Sequence, residues 1–126
     1  MAKSAATAAV KAATAAATRW IATHRFARVS PRKARLVIDL IRGQRVNAAQ
    51  DILRFTPKRS SGLITKVLES AIANANEAEA DVRKLYVAEA RIDEGPMMRR
   101  FRPKDRGRAH PILKRMSHIV IAVEER

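Results

Sequence analysis

Met97-Met98-Arg99-Arg100-Phe101-Arg102-Pro103-Lys104-Asp105-Arg106-Gly107-Arg108-Ala109-His110-Pro111 lies between two strand-like runs. From residue 92 to residue 123 the chain reads as two strands joined by this basic tip. Residues 99–115 hold eight basic side chains (Arg99, Arg100, Arg102, Lys104, Arg106, Arg108, Lys114 and Arg115) against one acid, Asp105. Arms of about 12 residues, at about 3.3 Å per residue, reach about 40 Å. A domain of roughly 100 residues has a radius of gyration of only about 13 Å. The tip must therefore project from any body this chain can build. A projecting arm with that charge needs a polyanion around it, and nucleic acid fits the requirement.

The 126 residues suffice for one domain with one modest core. The net charge is +14 and the pI about 11.5, in the range of nucleic-acid binders. Residues 1–38 carry eight basic side chains and no acid, whereas residues 39–95 balance nine basic against nine acidic groups. A neutral body thus carries two basic segments, and one-signed segments differ from the mixed charge of an ordinary solvated face. The absence of cysteine excludes disulfides and thiolate metal sites and suits a reducing compartment. The longest apolar runs, such as Ile119-Val120-Ile121-Ala122-Val123, are too short to span a bilayer.

Residues 1–18 are mostly Ala, with Ser, Thr, Val and two Lys. Such a segment is marginal as an isolated helix. The preferred reading of residues 1–20 is a flexible basic extension that orders on binding. An organelle transit peptide is the lesser alternative, since Arg is scarce and no amphipathic face stands out. Residues 21–29 read as a short strand. Ser30-Pro31 opens a helix, with Ser as a side-chain N-cap and Pro at the first helical position. Ala34, Val37, Ile38 and Ile41 follow at helical spacing, and Gly43 ends it. Arg32, Lys33 and Arg35 stand in its first turns, where the helix dipole prefers anions; that placement suits a phosphate contact.

A second helix is expected over residues 47–55, with Ala48, Ala49, Ile52 and Leu53 inward, broken by Thr56-Pro57. A third runs from Lys58 or Arg59 to Asn76, with Leu63, Ile64, Val67, Leu68, Ala71, Ile72 and Ala75 as its apolar stripe. Asn74 and Asn76 are expected to be caps rather than RNA contacts. Residues 85–93 alternate, with Leu85 and Val87 on one side and Tyr86, Ala88, Ala90 and Ile92 on the other. Residues 116–124 form the return strand, with Ile119, Ile121 and Val123 on one face. The expected class is α+β: a small antiparallel sheet packed on three helices, with a long protruding β-hairpin at about residues 91–115. Residues 21–126 form the single domain.

At the tip, arginine predominates; its planar fork binds phosphate bidentately and stacks on bases. Phe101 has two open readings, stacking on an unpaired base or packing across the hairpin. Gly95-Pro96 reads as a bend or bulge, and Gly107 as a bulge or a close approach to phosphate. Met97 and Met98 have no core to join and suit flexible apolar contacts. No enzyme is expected. Asp93 and Glu94 are adjacent, so in a strand they face opposite sides, and pairing with nearby Arg is their expected role. His24, His110 and His118 lack metal-ligand spacing, so no metal and no cofactor is expected. No nucleophile motif or Gly-rich phosphate loop occurs. An architectural DNA binder using a basic β-ribbon is the competing reading; it would bend duplex DNA.

Several stretches resemble the bacterial-type large-subunit ribosomal protein L twenty-two family. They are Ala27-Arg28-Val29-Ser30-Pro31-Arg32-Lys33-Ala34-Arg35, Asp39-Leu40-Ile41-Arg42-Gly43 and Lys66-Val67-Leu68-Glu69-Ser70-Ala71-Ile72-Ala73-Asn74-Ala75. Asp93-Glu94-Gly95-Pro96, Gly107-Arg108-Ala109, and Lys114-Arg115 with Ser117-His118-Ile119 follow in the family's order. The resemblance implies a structural constituent of the large ribosomal subunit that binds 23S-type ribosomal RNA and joins early in assembly. It implies a body on the subunit surface and a hairpin lining the nascent-peptide exit tunnel, beside ribosomal protein L four. The implied partners are ribosomal RNA, neighbouring large-subunit proteins and the nascent peptide, with no membrane and no self-oligomer. A cytoplasmic ribosome is the expected location, ahead of an organellar one. Lys104-Asp105 stands where the family commonly has Arg-Ala, His110-Pro111 where a polar or acidic pair is usual, and Met116 where Thr is common.

Charge pattern and resemblance together name the residues expected to bind ribosomal RNA. They are Arg25, Arg28, Arg32, Lys33, Arg35, Lys58 and Arg59 in the body, and Arg99, Arg100, Arg102, Lys104, Arg106, Arg108, Lys114, Arg115 and His118 on the hairpin. By the resemblance, Met97, Met98, Arg99, Arg100, Phe101, Arg102 and Pro103 form the tunnel tip.

Overall fold

The computed structural model describes residues 18–126. Strand β1 (Arg19–Ala27) leads into helices α1 (Pro31–Ile41), α2 (Val46–Phe55) and α3 (Arg59–Glu77). A short 3-10 turn (Val82–Lys84) precedes β2 (Leu85–Pro103), and a second (Asp105–Gly107) joins it to β3 (Ala109–Glu125). The sheet is antiparallel in the order β1-β3-β2. This is the expected α+β architecture. The sheet begins at Arg19 and β1 ends at Ala27, so Arg19 and Trp20 belong to it. Most of the segment read as an extension lies outside the described residues.

Helix α1 begins at Pro31, and its exit is turned by Gly43 at φ +77°. Ser30 occupies the N-cap position with extended backbone, but its side chain makes no capping bond; its carbonyl instead accepts Ala34 N–H at 3.0 Å. The helix therefore starts on the pre-set φ of proline rather than on a serine cap. Ala34, Val37, Ile38 and Ile41 are buried from α1, and Ile64, Val67, Leu68, Ala71, Ile72 and Ala75 from α3. Each buried Ile or Leu contributes roughly 1.5–3 kcal/mol relative to exposure. On α2 the inward residues are Val46, Ala49 and Leu53, with Ile52 half-buried. Ala48, expected inward, is exposed, because the helix starts at Val46 and its apolar stripe runs 46, 49, 53. Asn74 is not a cap: its amide donates to Ile21 carbonyl at 3.1 Å and ties α3 to β1. The end of α3 is closed by backbone bonds from Ala78, Glu79 and Ala80, with Glu79 at φ 60°.

The alternation expected in β2 fails at one point. Between Val87 and Glu89 the register with β3 shifts, so Ala88 is an extra residue. The bulge resets the phase, and Ala90 and Ile92 join Leu85 and Val87 in the core instead of opposing them. Ile119, Ile121 and Val123 meet them from β3, all fully buried. Strand β2 is an edge, and within the body its outward carbonyls at 87, 90 and 92 are covered by α1 and the turn that follows it. Val87 carbonyl accepts Gly43 N–H at 3.0 Å, Ala90 carbonyl accepts Arg42 at 2.7 and 3.1 Å, and Ile92 carbonyl accepts Arg35 at 3.2 Å. A sheet edge closed this way offers no ladder to another chain.

Past Ile92 the last two strands leave the body together. They stay paired to Pro103↔Ala109, so the arm spans about 36 Å at about 3.3 Å per residue. Its root is a second bulge, where Gly95 and Pro96 oppose the single residue Met116, as the Gly-Pro pair suggested. The tip closes with Lys104 N–H donating to Arg108 carbonyl at 2.7 Å. Gly107 is neither a bulge nor part of the ladder: it follows Arg106 in a left-handed pair, φ 59° and 72°, that reverses the chain. Proline at 103 and 111 is tolerated because each strand of a two-stranded ribbon has a free edge.

Candidate nucleic-acid interface

The arm's faces follow from its register. Directly opposed residues of an antiparallel pair share a face. Arg99 pairs with Leu113, Phe101 with Pro111 and Met97 with Arg115 on one face; Met98 with Lys114, Arg100 with Ile112 and Arg102 with His110 on the other. Both faces interleave cations with apolar groups, and no residue from 96 to 115 is buried. A ribbon with cations on both sides is built to be surrounded rather than laid flat. Phe101 is 72% exposed, so opposing Pro111 does not cover it. Met97 Sδ accepts Arg115 Nη1 at 3.3 Å.

At the arm's root the helices add their own cations. The start of α1 and the start of α3 open on one cleft containing Arg28, Lys33, Lys58 and Arg59. Its continuation along the arm brings Arg100, Lys114 and Arg115 beside Arg28, Lys33 and Arg59, with no acidic residue in the lining. No acid stands in the first turn of α1 or α3. Two positive helix ends and these side chains therefore share one depression, which concentrates positive potential. On its other side Arg32, Arg35 and Arg115 line a cleft together with Glu94.

Ion pairing shows which cations are occupied. Among the described residues, ion pairs are formed only by Arg19, Arg42, Lys84 and Arg91. Among the described residues, none of the cations expected to meet RNA forms an ion pair. Asp93 pairs with Arg91 at 3.6 Å, as expected. Among the described residues neither Glu94 nor Asp105 forms an ion pair.

The expected contact residues do not all gather together. Arg28, Arg32, Lys33, Lys58, Arg59, Arg100, Lys114 and Arg115 ring the root, while Arg99, Arg102, Lys104, Arg106 and Arg108 continue outward along the arm. Arg35 lines the root but also spends a donor on Ile92 carbonyl. Arg25 and His118 sit elsewhere, in a recess on the sheet's open face with Thr23, Glu89, Arg91 and Asp93. His118 is bonded to backbone: its Nδ1 accepts Phe26 N–H at 3.0 Å.

One cluster was invisible in the sequence. Arg45, Arg83, Lys84 and Arg126 gather about Gly43 and Tyr86 at the end of the body opposite the arm. Arg126 lies 5.6 Å from the centre of the Tyr86 ring, a cation–π distance. Lys84 is balanced by Asp81 at 3.9 Å and Glu125 at 4.0 Å. Three separate stretches of sequence meet here, joined by the Arg45↔Tyr86 bridge, by Gly43 N–H to Val87 carbonyl at 3.0 Å and by Arg126 N–H to Lys84 carbonyl at 3.2 Å. Next to it, Glu124 accepts Tyr86 hydroxyl at 2.8 Å and Arg19 Nε at 2.6 Å. Those bonds, the tyrosine's first, hold its carboxyl below the ordinary value. The same bond raises Tyr86, and Glu124 raises Arg19.

Residues 22–124 match the family described as Ribosomal protein L22p/L17e. The chain belongs to this family. It is 50% identical over 103 residues to the large ribosomal subunit protein uL22 of Clostridium novyi (strain NT), covering 81% of this chain and 93% of that protein. As a member of the L twenty-two family it is a structural constituent of the large ribosomal subunit, a cytoplasmic ribosomal component and not an enzyme. Among the described residues no helix is long and apolar enough to cross a membrane.

Proposed function

We propose that the chain binds large-subunit ribosomal RNA through the basic cleft at the arm's root and both faces of the arm. The observation that carries this is the unneutralised charge. Cations stand on both faces of a coreless ribbon, none of them ion-paired among the described residues, and phosphate is the counter-charge that suits them. In this reading Arg28, Arg32, Lys33, Lys58 and Arg59 anchor the body, and Lys114 and Arg115 continue the contact onto the arm. Arg99, Arg100, Arg102, Lys104, Arg106 and Arg108 thread it through RNA. Arg25 and His118 form a separate contact on the open sheet face.

The arm's length supports a tip that reaches a remote part of the subunit. Met97, Met98, Arg99, Arg100, Phe101, Arg102 and Pro103 then line the nascent-peptide exit tunnel, near ribosomal protein L four. Such a protein ties separate RNA segments together and so joins early in assembly. The body, from Arg19 onward, acts as one monomeric unit.

Density-gradient sedimentation of the tagged protein from native lysate, with and without ribonuclease, tests this reading. Migration with the large subunit, lost when RNA is digested, is the expected result. Migration with chromosomal DNA or as a free small protein would contradict it.

A further inference from the structure

Phe26 marks the point where β1 leaves register with β3. His24 pairs with Ile119 and Ala27 with Ser117, so Arg25 and Phe26 face the single residue His118. Phe26 takes φ 58°, a left-handed conformation in which a bulky side chain is an outlier and Gly or Asn is at ease. The bulge turns the ring outward, and it is 54% exposed. Two contacts define its position. Phe26 N–H donates to His118 Nδ1 at 3.0 Å, and the rings meet edge to face with centroids 5.0 Å apart. The backbone bond needs no aromatic side chain, and beside this ring contact Phe26 keeps more than half of its surface exposed. The fold thus carries a strained, exposed aromatic at the sheet edge.

The same bond orients His118. With Nδ1 accepting, the neutral ring carries its proton on Nε2 and presents a donor. Arg25 lines the recess beside His118. The carboxylates there are engaged by other cations: Glu89 by Arg91 at 3.1 Å and Arg19 at 3.0 Å, and Asp93 by Arg91 at 3.6 Å. Arg25 forms no ion pair among the described residues.

We infer that Phe26, His118 and Arg25 form a subsite for one unpaired nucleotide of the bound RNA. The base stacks on the exposed ring of Phe26, His118 Nε2–H donates to an oxygen or nitrogen of the nucleotide, and Arg25 takes the phosphate. The inference rests on the RNA-binding reading above and adds a base-stacking contact at the sheet edge, apart from the arm.

Two variants of the full chain test it, Phe26→Asn and Phe26→Trp, each assayed for Tm and for Kd with a large-subunit ribosomal RNA transcript. Phe26→Asn keeps the backbone and removes the ring. It is expected to hold or raise Tm and to weaken binding about 5- to 150-fold, the worth of one base–aromatic stack. Phe26→Trp is expected to bind like the parent. An unchanged Kd for Phe26→Asn overturns the inference, and so does a fall in Tm that parallels the loss, because the ring would then serve the fold. Unchanged Kd with failure to enter the subunit also overturns it and points to a neighbouring protein as the partner. If the parent itself does not bind the transcript, the RNA-binding reading falls and takes the subsite with it. If the parent binds and Phe26→Asn matches it, the subsite alone falls.

Discussion

Gly95 lies against the main chain of Met116: a Cβ at Gly95 would sit 3.1 Å from both the carbonyl carbon and the carbonyl oxygen of Met116. The contact occurs in the bulge where body becomes arm, with Gly95 and Pro96 opposite one residue. A bulge adds local twist and bends its strand. The direction in which the arm leaves the body therefore depends on a residue without a side chain at this position.

Gly95→Val is expected to cost about 1–3 kcal/mol, the usual penalty for overpacking against atoms that cannot withdraw. Urea unfolding of the purified chain measures it. A midpoint equal to the parent's would mean that Met116 yields freely and that the bulge does not fix the arm.

The body should not need the arm. Its core ends at Ile92 on β2, and Met97 pairs with Arg115 just beyond the bulge. Replacing residues 98–114 by Asn-Gly joins that pair through a tight hairpin turn. The shortened protein is expected to unfold cooperatively, with its Tm within a few degrees of the parent's. Loss of a cooperative transition in calorimetry would show that the arm contributes to folding.

Glu124 makes stability depend on acid pH. Hydrogen bonds from Tyr86 and Arg19 depress its pKa below 4.5. A depressed carboxylate contributes stability that is fully present above its unfolded pKa and is lost as pH falls through the folded value. Glu124→Gln should therefore lower the urea midpoint at neutral pH, and the gap from the parent should close as pH drops below the ordinary carboxylate range. A gap that stays constant across pH would show that the ionised form has no special role.

Arg42 covers the Ala90 carbonyl with two donors, at 2.7 and 3.1 Å, and pairs with Asp39 at 2.8 Å. Arg42→Met keeps the packing stem and removes the donors. It is expected to cost roughly 1–3 kcal/mol in urea unfolding, the range for a charged donor on a partly buried acceptor.

The large features were legible because they depend on period and charge. The stripes of α1 and α3, the phase of β3 and the projecting tip all follow from local pattern. Events set by tertiary register were not legible. The bulge at Ala88 moves Ala90 and Ile92 into the core, and nothing in Val87-Ala88-Glu89-Ala90 announces an extra residue. Ser30 carries the right side chain for a cap, yet it makes no capping bond. Asn74 looks locally like a cap, but its partner, Ile21, lies across the fold.

The site divides in the same way. Arginines adjacent in sequence announced the arm and the start of α1. That both helix starts and the arm root share one cleft is a product of packing. Arg35 shows the limit of reading charge alone, since its guanidinium also closes a sheet edge. The left-handed backbone of Phe26 carried no local signal: the residue stands in an apparent strand, and only the register shift against His118 exposes it.

If this charge is matched to RNA phosphate, binding must fall steeply with salt. The affinity of the full chain for large-subunit ribosomal RNA should be measured from 50 to 200 mM salt. Engagement of about 6–10 phosphates on a duplex predicts a loss of about 10³–10⁵ over that range, with a gentler slope on single strands. The triple variant Arg99→Gln, Arg100→Gln, Arg102→Gln should lower the slope by about one per phosphate contact removed. A nearly flat salt response, or a triple variant with the parent's slope, would contradict the account.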